Sequence, residues 1–264
     1  MTTLKQIFKP LTLISYADLA TFTSAALGFL AITYIIDGVV SSYIVALMLL
    51  PISAIIDGMD GALARKFGTK HDYGKYLDSI SDSICFGLAP SILIYSLYYD
   101  IGRGPAIDLI DDDLNFNFRY NIENIVAISV SLMVLLLSIF RLARFTQGNQ
   151  GGNKYFHGLP SPGLSMFIVV ISIKYSLIND FHHILVPISI GLVSLLTVTT
   201  IPYAKARAGF RDPILFGISI LIITIVFRFF ENDLWESIWY LAFALYMSYF
   251  ALIPFLISIN YFGE

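Results

Sequence analysis

Apolar residues in this chain fall into eight long runs that short polar segments separate. Each run has about 20 residues, the length that a helix needs to cross roughly 30 Å of hydrocarbon. The pattern therefore predicts an all-α polytopic membrane protein. The runs cover positions 14–36, 40–57, 76–99, 122–142, 160–178, 183–202, 213–230 and 234–259.

The composition supports lipid as the solvent. Hydrophobic residues make up 57% of the 264 residues and charged residues only 13%, whereas about a quarter of an ordinary soluble domain is charged. The one cysteine, Cys85, excludes an intramolecular disulfide. The net charge of −3 and the short basic loops exclude nucleic acid as a partner.

Lys and Arg residues occur on alternate sides of the predicted helices. Basic loops near positions 5–9, 65–75, 141–154 and 205–211 fall on one side, and acidic loops fall on the other. Because positive loops stay in the cytoplasm, both termini should be cytoplasmic. We predict one membrane domain, composed of an interfacial segment (1–11), a six-helix core (14–202) and an accessory pair of C-terminal helices (213–259).

Four aspartates lie close together at helical spacing. Asp57 and Asp60 are three residues apart, and Asp78 and Asp82 are four apart, so each pair lies on one face of a helix. Four adjacent carboxylates repel one another unless cations neutralise them. Carboxylates without His or Cys partners suit Mg²⁺, Mn²⁺ or Ca²⁺, and Mg²⁺ often completes its shell with phosphate. A metal site for a phosphate-bearing substrate is therefore expected.

Small residues and one arginine accompany these acids. Gly61, Ala64 and Gly74 keep the helix surfaces low, so that a flat nucleotide base can approach the backbone. Arg65 offers a planar fork of donors that can hold a phosphate in bidentate geometry. Together these residues predict a cradle for a nucleotide diphosphate.

The acids and the small residues form one string, Asp57-x-x-Asp60-Gly61-x-x-Ala64-Arg65, eight residues, Gly74-x-x-x-Asp78-x-x-x-Asp82. This string resembles the signature of the CDP-alcohol phosphotransferases at every fixed position. The resemblance covers roughly residues 14–202. It implies a six-helix membrane homodimer with a polar cavity that faces the cytoplasm.

The resemblance also implies roles for individual residues. Asp57, Asp60 and Asp78 would bind metal, and Asp82 would join them and serve as general base toward the incoming alcohol. Two divalent ions, Mn²⁺ or Mg²⁺, would then be expected, with Ca²⁺ as a possible occupant. Asp18 and Thr21, near the start of the first run, are candidates for nucleotide contact. For Asp18, whose place many family members fill with Asn, a helix N-cap is the competing interpretation.

Two later segments resemble the phosphatidylserine synthase subfamily. They are Phe140–Phe145, which reads Phe-Arg-Leu-Ala-Arg-Phe, and Phe156–Pro162, which reads Phe-His-Gly-Leu-Pro-Ser-Pro. Arg141 and Arg144 share one helix face and could bind the carboxylate of serine or a phosphate, although they could also be anchors at the cytoplasmic interface. His157 could bind substrate or carry a proton, with a structural role as the alternative.

The expected reaction is transfer of a phosphatidyl-type group from a CDP-activated lipid to the hydroxyl of L-serine, with release of CMP. Within the family, glycerol 3-phosphate or inositol phosphate are alternative acceptors. A divalent-cation transporter would need acids throughout the membrane depth, and a non-catalytic lipid-binding protein would be expected to lack an aspartate. The lipid tails could be diacyl chains or archaeal isoprenoid ethers.

Overall fold

A computed structural model describes residues 14–67, 73–98, 122–147, 155–175 and 185–204. Helices dominate this part of the chain, and two very short strands accompany them. The elements are α1 (Tyr16–Ile36), α2 (Val40–Phe67), α3 (Gly74–Asp82), a π-helical turn (Ser83–Leu88), α4 (Ala89–Tyr98), α5 (Ile122–Thr146), β1 (Tyr155–His157), α6 (Ser161–Tyr175), α7 (Leu185–Leu195), a 3₁₀ turn (Leu196–Val198) and β2 (Pro202–Ala204).

Four helical segments of the described chain are long and apolar enough to cross a membrane, and two shorter apolar helices follow them. The prediction of a helical membrane protein is thereby confirmed. The interfacial segment 1–11 and the helix pair 213–259 lie outside the described residues, so the full helix count stays a prediction. The four long segments are Tyr16–Ile36, Ser41–Gly61, Gly74–Tyr98 and Asn124–Thr146.

Helix α1 begins with a capping box. The side chain of Asp18 accepts hydrogen bonds from the backbone N–H (2.6 Å) and the hydroxyl (2.7 Å) of Ser15, and the Asp18 N–H donates to the Ser15 hydroxyl (3.3 Å). These bonds satisfy donors that the first turn of a helix leaves without partners. The serine just before the apolar run thus sets where the first span begins.

A tight turn joins α1 to α2. Gly38 adopts a φ of +71°, and its N–H donates to the Ile35 carbonyl over 3.2 Å. Glycine takes this left-handed conformation at little cost after a helix end. Beyond the turn, the hydroxyl of Ser42 donates to the carboxylate of Asp37, which ties the start of α2 to the end of α1.

Small residues allow the first helices to pack closely. The Ser24 hydroxyl donates to the Ser53 carbonyl of α2 over 3.1 Å, and the Cys85 thiol donates to the Ser24 carbonyl over 3.1 Å. A Cβ on Gly28 would lie only 2.8 Å from the Cys85 sulfur. Close approach of backbones and hydrogen bonds between helices stabilise helix pairs in lipid, where no hydrophobic force distinguishes protein from solvent.

A π-helical turn interrupts the third predicted run directly after Asp82. The apolar pattern predicts one helical span over 76–99, but within it the Ala89 N–H donates to the carbonyl of Ile84, five residues back. Pro90 explains the difference. In a regular α-helix its ring would clash with the carbonyl four residues earlier, and the wider turn avoids that contact.

A two-stranded antiparallel sheet closes the described region, and the sequence did not predict it. Phe156 pairs with Tyr203 in this sheet, so the segment that begins at Phe156 lies beside the segment after α7. Gly158 follows β1 with a φ of +83°, and its N–H donates to the Ile201 carbonyl over 2.9 Å. Strands of three residues are too short to show an alternating pattern.

Replacement of Gly158 by alanine should destabilise this sheet. A Cβ there would lie 2.4 Å from the carbonyl oxygen of Thr197, in addition to the positive φ, which alone costs on the order of 1–3 kcal/mol. At Gly38 the φ is also positive, but the nearest atom to a Cβ is 3.9 Å away. We expect Gly158→Ala to lower the unfolding temperature in detergent more than Gly38→Ala does. Equal shifts in scanning fluorimetry would contradict this account.

Candidate active site

Helices α2 and α3 bring three of the four predicted aspartates into one cluster. A carboxylate oxygen from each of Asp57, Asp60 and Asp78 lies within 4.8 Å of the others, and all three side chains are partly buried. Asp57 and Asp60 lie on one face of α2, and α3 supplies Asp78. The spacing of the sequence therefore placed these side chains together correctly.

Asp82, on the next turn of α3, lies beside this cluster. Its carboxyl group is within hydrogen-bonding reach of that of Asp57, and the carboxyl groups of Asp60 and Asp78 are in similar contact. Carboxylates in contact repel one another unless a cation or a proton lies between them. The four acids form two pairs of neighbouring carboxyl groups, Asp57 with Asp82 and Asp60 with Asp78.

Two of the acidic oxygens have no hydrogen-bond partner among the residues that the structure describes. Oδ1 of Asp57 and Oδ1 of Asp82 are buried and accept no hydrogen bond, an arrangement that costs free energy unless another group binds there. The cluster offers oxygen ligands only, which hard divalent cations prefer. The residues therefore fit a divalent metal ion.

Helix α1 contacts the cluster through Thr21, but in a way that the sequence did not indicate. The Thr21 hydroxyl donates to Oδ2 of Asp60 over 2.9 Å. Asp18, one turn earlier, forms the capping box with Ser15 and also lies near the charge of Asp60. Thus both candidates for nucleotide contact lie at the site, and the capping interpretation of Asp18 agrees with its hydrogen bonds.

The candidate cradle residues lie next to the acids. Gly61 directly follows Asp60, so that its backbone N–H lies close to that carboxylate, and Ala64 lies one turn further along α2. Gly74 is the first residue of α3. Arg65 belongs to the last turns of α2, while its side chain lies outside the described part of the structure.

Arg141 of α5 points into the protein. Only 9% of its surface is exposed, and its Nη1 donates to the hydroxyl of Ser161 over 2.9 Å. Its Nε has no hydrogen-bond partner within the described ranges. The charge of Asp82 lies nearby. An arginine so deeply buried is not an anchor for lipid phosphate, and it places a positive charge beside the acidic cluster.

Arg144 and His157, unlike Arg141, donate to backbone carbonyls. Nη1 of Arg144 donates to the Val198 carbonyl over 3.3 Å. Nδ1 of His157 lies 3.2 Å from the Thr200 carbonyl, and since a carbonyl only accepts, this nitrogen is the donor. Both side chains hold the segment after α7, which agrees with the structural alternative for His157.

Hydroxyl groups outside the predicted motifs hold α3 in place. The Ser81 hydroxyl donates to the Thr21 carbonyl over 2.9 Å, and the hydroxyls of Ser79 and Thr146 lie 2.5 Å apart. Serines are common in membrane helices, so no pattern distinguishes these from the others before the helices are packed.

The comparison with known proteins decides the family. The sequence model of the CDP-alcohol phosphatidyltransferase family matches residues 14–197. This chain belongs to that family. The resemblance of its aspartate string to the family signature is thereby confirmed. The matched region of this chain includes every described helix of the site.

Relatives of the chain have names that specify serine. The chain is similar to the archaetidylserine synthase of Methanothermobacter thermautotrophicus, with 34% identity over 195 residues, 73% of this chain and 70% of the relative. It is also similar to the CDP-diacylglycerol–serine O-phosphatidyltransferase of Helicobacter pylori, with 28% identity over 219 residues, 80% of this chain and 81% of the relative. The enzyme of that name from Methanocaldococcus jannaschii is 32% identical over 171 residues, 65% of this chain and 69% of the relative.

Neutralising one acid should affect stability in opposite ways with and without metal. Asp57→Asn removes one charge from the Asp57–Asp82 contact, so we expect a higher unfolding temperature than the unsubstituted protein in EDTA. Mn²⁺ should raise the unfolding temperature of the unsubstituted protein more than that of the variant, because the variant has lost a ligand. Scanning fluorimetry in both buffers measures these shifts.

Asp37→Asn is the matched control, since Asp37 lies at the opposite end of α1 and binds Ser42. Its response to Mn²⁺ should equal that of the unsubstituted protein. An unsubstituted protein whose unfolding temperature is the same in EDTA and in Mn²⁺ would contradict the metal site.

Proposed function

We propose that this protein is a metal-dependent phosphatidylserine synthase, which transfers a phosphatidyl-type group from a CDP-activated lipid to L-serine and releases CMP. The observation that carries the proposal is the cluster of Asp57, Asp60 and Asp78 with Asp82 beside it, supplied by two consecutive helices in a chain of the CDP-alcohol phosphatidyltransferase family. The relatives named for serine support the choice of acceptor. The lipid substrate would be CDP-diacylglycerol or CDP-archaeol.

The acids would hold two divalent ions, Mg²⁺ or Mn²⁺, with Asp82 shared between binding and catalysis. Bound there, the ions would neutralise the diphosphate and stabilise CMP as the leaving group. Gly61, Ala64 and Gly74 would leave room for the nucleotide beside the cluster. Arg65 would hold a phosphate oxygen. This assignment accounts for the small residues between the acids.

Asp82 would accept the proton of the acceptor. The serine hydroxyl oxygen attacks the phosphorus that bears the lipid, a new P–O bond forms, and the P–O bond to CMP breaks. The hydroxyl proton passes to the Asp82 carboxylate. Its buried Oδ1, which accepts no hydrogen bond from the described part of the chain, has the free lone pair that this step requires.

Arg141 would bind the carboxylate of serine. Its Nε donor has no partner, and the guanidinium lies near Asp82, so an acceptor bound there would have its hydroxyl close to the general base. Arg144 and His157 are weaker candidates for contact with serine or phosphate, because backbone carbonyls already bind them. Charge-assisted, bidentate pairing favours arginine over lysine for this role.

The positions of the basic loops support a topology in which both termini and the active site face the cytoplasm of a prokaryotic cell. Both the lipid substrate and the product would remain in the membrane, while serine and CMP exchange with the cytoplasm. We further propose a homodimer, in line with the family resemblance.

The direct test is CMP release by purified protein in detergent, with a CDP-activated lipid and Mn²⁺ or Mg²⁺. We expect release that needs serine and exceeds release with glycerol 3-phosphate or inositol phosphate. Asp82→Asn should lower kcat by about 10²- to 10⁴-fold, the usual contribution of a general base, whereas Asp37→Asn should retain activity. Release that needs another acceptor would overturn the serine assignment, and a fully active Asp82→Asn would overturn the role of Asp82.

Substitution of Arg141 should weaken serine binding selectively. Loss of a charge-assisted hydrogen bond of about 1.5–3 kcal/mol predicts a rise of roughly 10- to 100-fold in the serine KM for Arg141→Gln. The KM of the CDP-lipid should change little. Arg144→Gln is the control on the same helix face and should have the smaller effect. An increase in the lipid KM alone would instead assign Arg141 to the diphosphate.

A further inference from the structure

Thr21 lies where three helices of the site meet. It is 4% exposed, and its hydroxyl is within reach of two acceptors, Oδ2 of Asp60 at 2.9 Å and the Ala17 carbonyl of its own helix at 3.1 Å. A hydroxyl has one proton to donate. The bond to a carboxylate is the stronger of the two because it is assisted by charge.

The backbone of the same residue holds the other acidic helix. The Ser81 hydroxyl of α3 donates to the Thr21 carbonyl over 2.9 Å, and Ser81 lies immediately before Asp82. Thus Thr21 contacts α2 through its side chain and α3 through its carbonyl oxygen. Both contacts are next to acids that belong to the cluster.

We propose that Thr21 is a positioning residue that orients the Asp60 carboxylate and sets the separation of the two acidic helices for metal binding. This role of Thr21 rests on the proposed function in one respect, that the aspartates bind a divalent metal ion. It differs from the nucleotide contact that the sequence suggested for Thr21, since here the hydroxyl acts through Asp60 and does not touch the substrate.

A hydroxyl that orients a ligand can affect metal binding because the ion binds its ligands in a fixed geometry. When the hydroxyl holds Oδ2 of Asp60, the carboxylate cannot rotate freely, and its other oxygen is directed by that bond. Mg²⁺ requires near-octahedral geometry with ligands at about 2.1 Å. Groups that orient metal ligands typically contribute about 10- to 100-fold to metal affinity.

The test compares three variants of the full chain in detergent without substrate, with free Mn²⁺ measured by electron paramagnetic resonance. Thr21→Val keeps the shape but removes the donor, and the Mn²⁺ dissociation constant should rise about 10- to 100-fold. Thr21→Ser keeps a hydroxyl and should restore most of the affinity. Thr23→Val is the matched control, because the exposed Thr23 hydroxyl donates only to the Leu19 carbonyl of α1, and its affinity should be unchanged.

Kinetics separate positioning from contact with substrate. In Thr21→Val, the Mn²⁺ concentration for half-maximal activity should rise, whereas the KM values of the CDP-lipid and of serine at saturating Mn²⁺ should stay unchanged. Ser81→Ala should also weaken Mn²⁺ binding, since it releases α3 from the Thr21 carbonyl. Unchanged Mn²⁺ affinity in Thr21→Val, or a raised lipid KM at saturating Mn²⁺, would overturn the proposal.

Failure of the proposed function would give a different result. A protein that binds Mn²⁺ but releases no CMP with serine would refute the synthase, and the comparison of Mn²⁺ affinities among the Thr21 variants would still decide the role of Thr21.

Discussion

The mutual repulsion of four partly buried carboxylates is the constraint on which the rest of this structure depends. Two acids on α2 and two on α3 can lie in contact only if the helices that carry them are held firmly together. Helix α1 supplies much of that restraint through hydroxyl bonds to both helices. Packing and hydrogen bonds elsewhere offset the free energy that this repulsion costs, and a cation bound between the acids would relieve the repulsion.

The sequence predicted the helices and the acidic cluster because both depend on local spacing. Long apolar runs specify spans, and residues three or four apart share a helix face, which puts Asp57 with Asp60 on α2 and Asp78 with Asp82 on α3. It could not predict that Thr21 binds Asp60, since that contact joins residues 39 positions apart. Contacts of this kind depend on how helices pack, and many serines and threonines in the chain have the same local pattern.

Arg141 and Arg144 also show that local spacing does not reveal contacts between helices. Their spacing put Arg141 and Arg144 on one face of α5 correctly, yet it could not distinguish their partners. Arg141 binds a side chain on α6, whereas Arg144 binds a backbone carbonyl after α7. The sheet of three-residue strands and the π-helical turn escaped prediction for a related reason: each is shorter than the window over which a periodic pattern can be recognised.

The π-helical turn also divides the third span into two halves, α3 and α4, that differ in rotation about the helix axis. An extra residue in one turn rotates everything beyond it by about 100° relative to an uninterrupted α-helix. The acids of α3, before the turn, can therefore face the site. The face that α4 packs into the apolar core is set separately, and Leu93, Ile94 and Tyr98 are buried there. A substitution that changes the packing of α4 therefore need not change the direction in which the acids of α3 face.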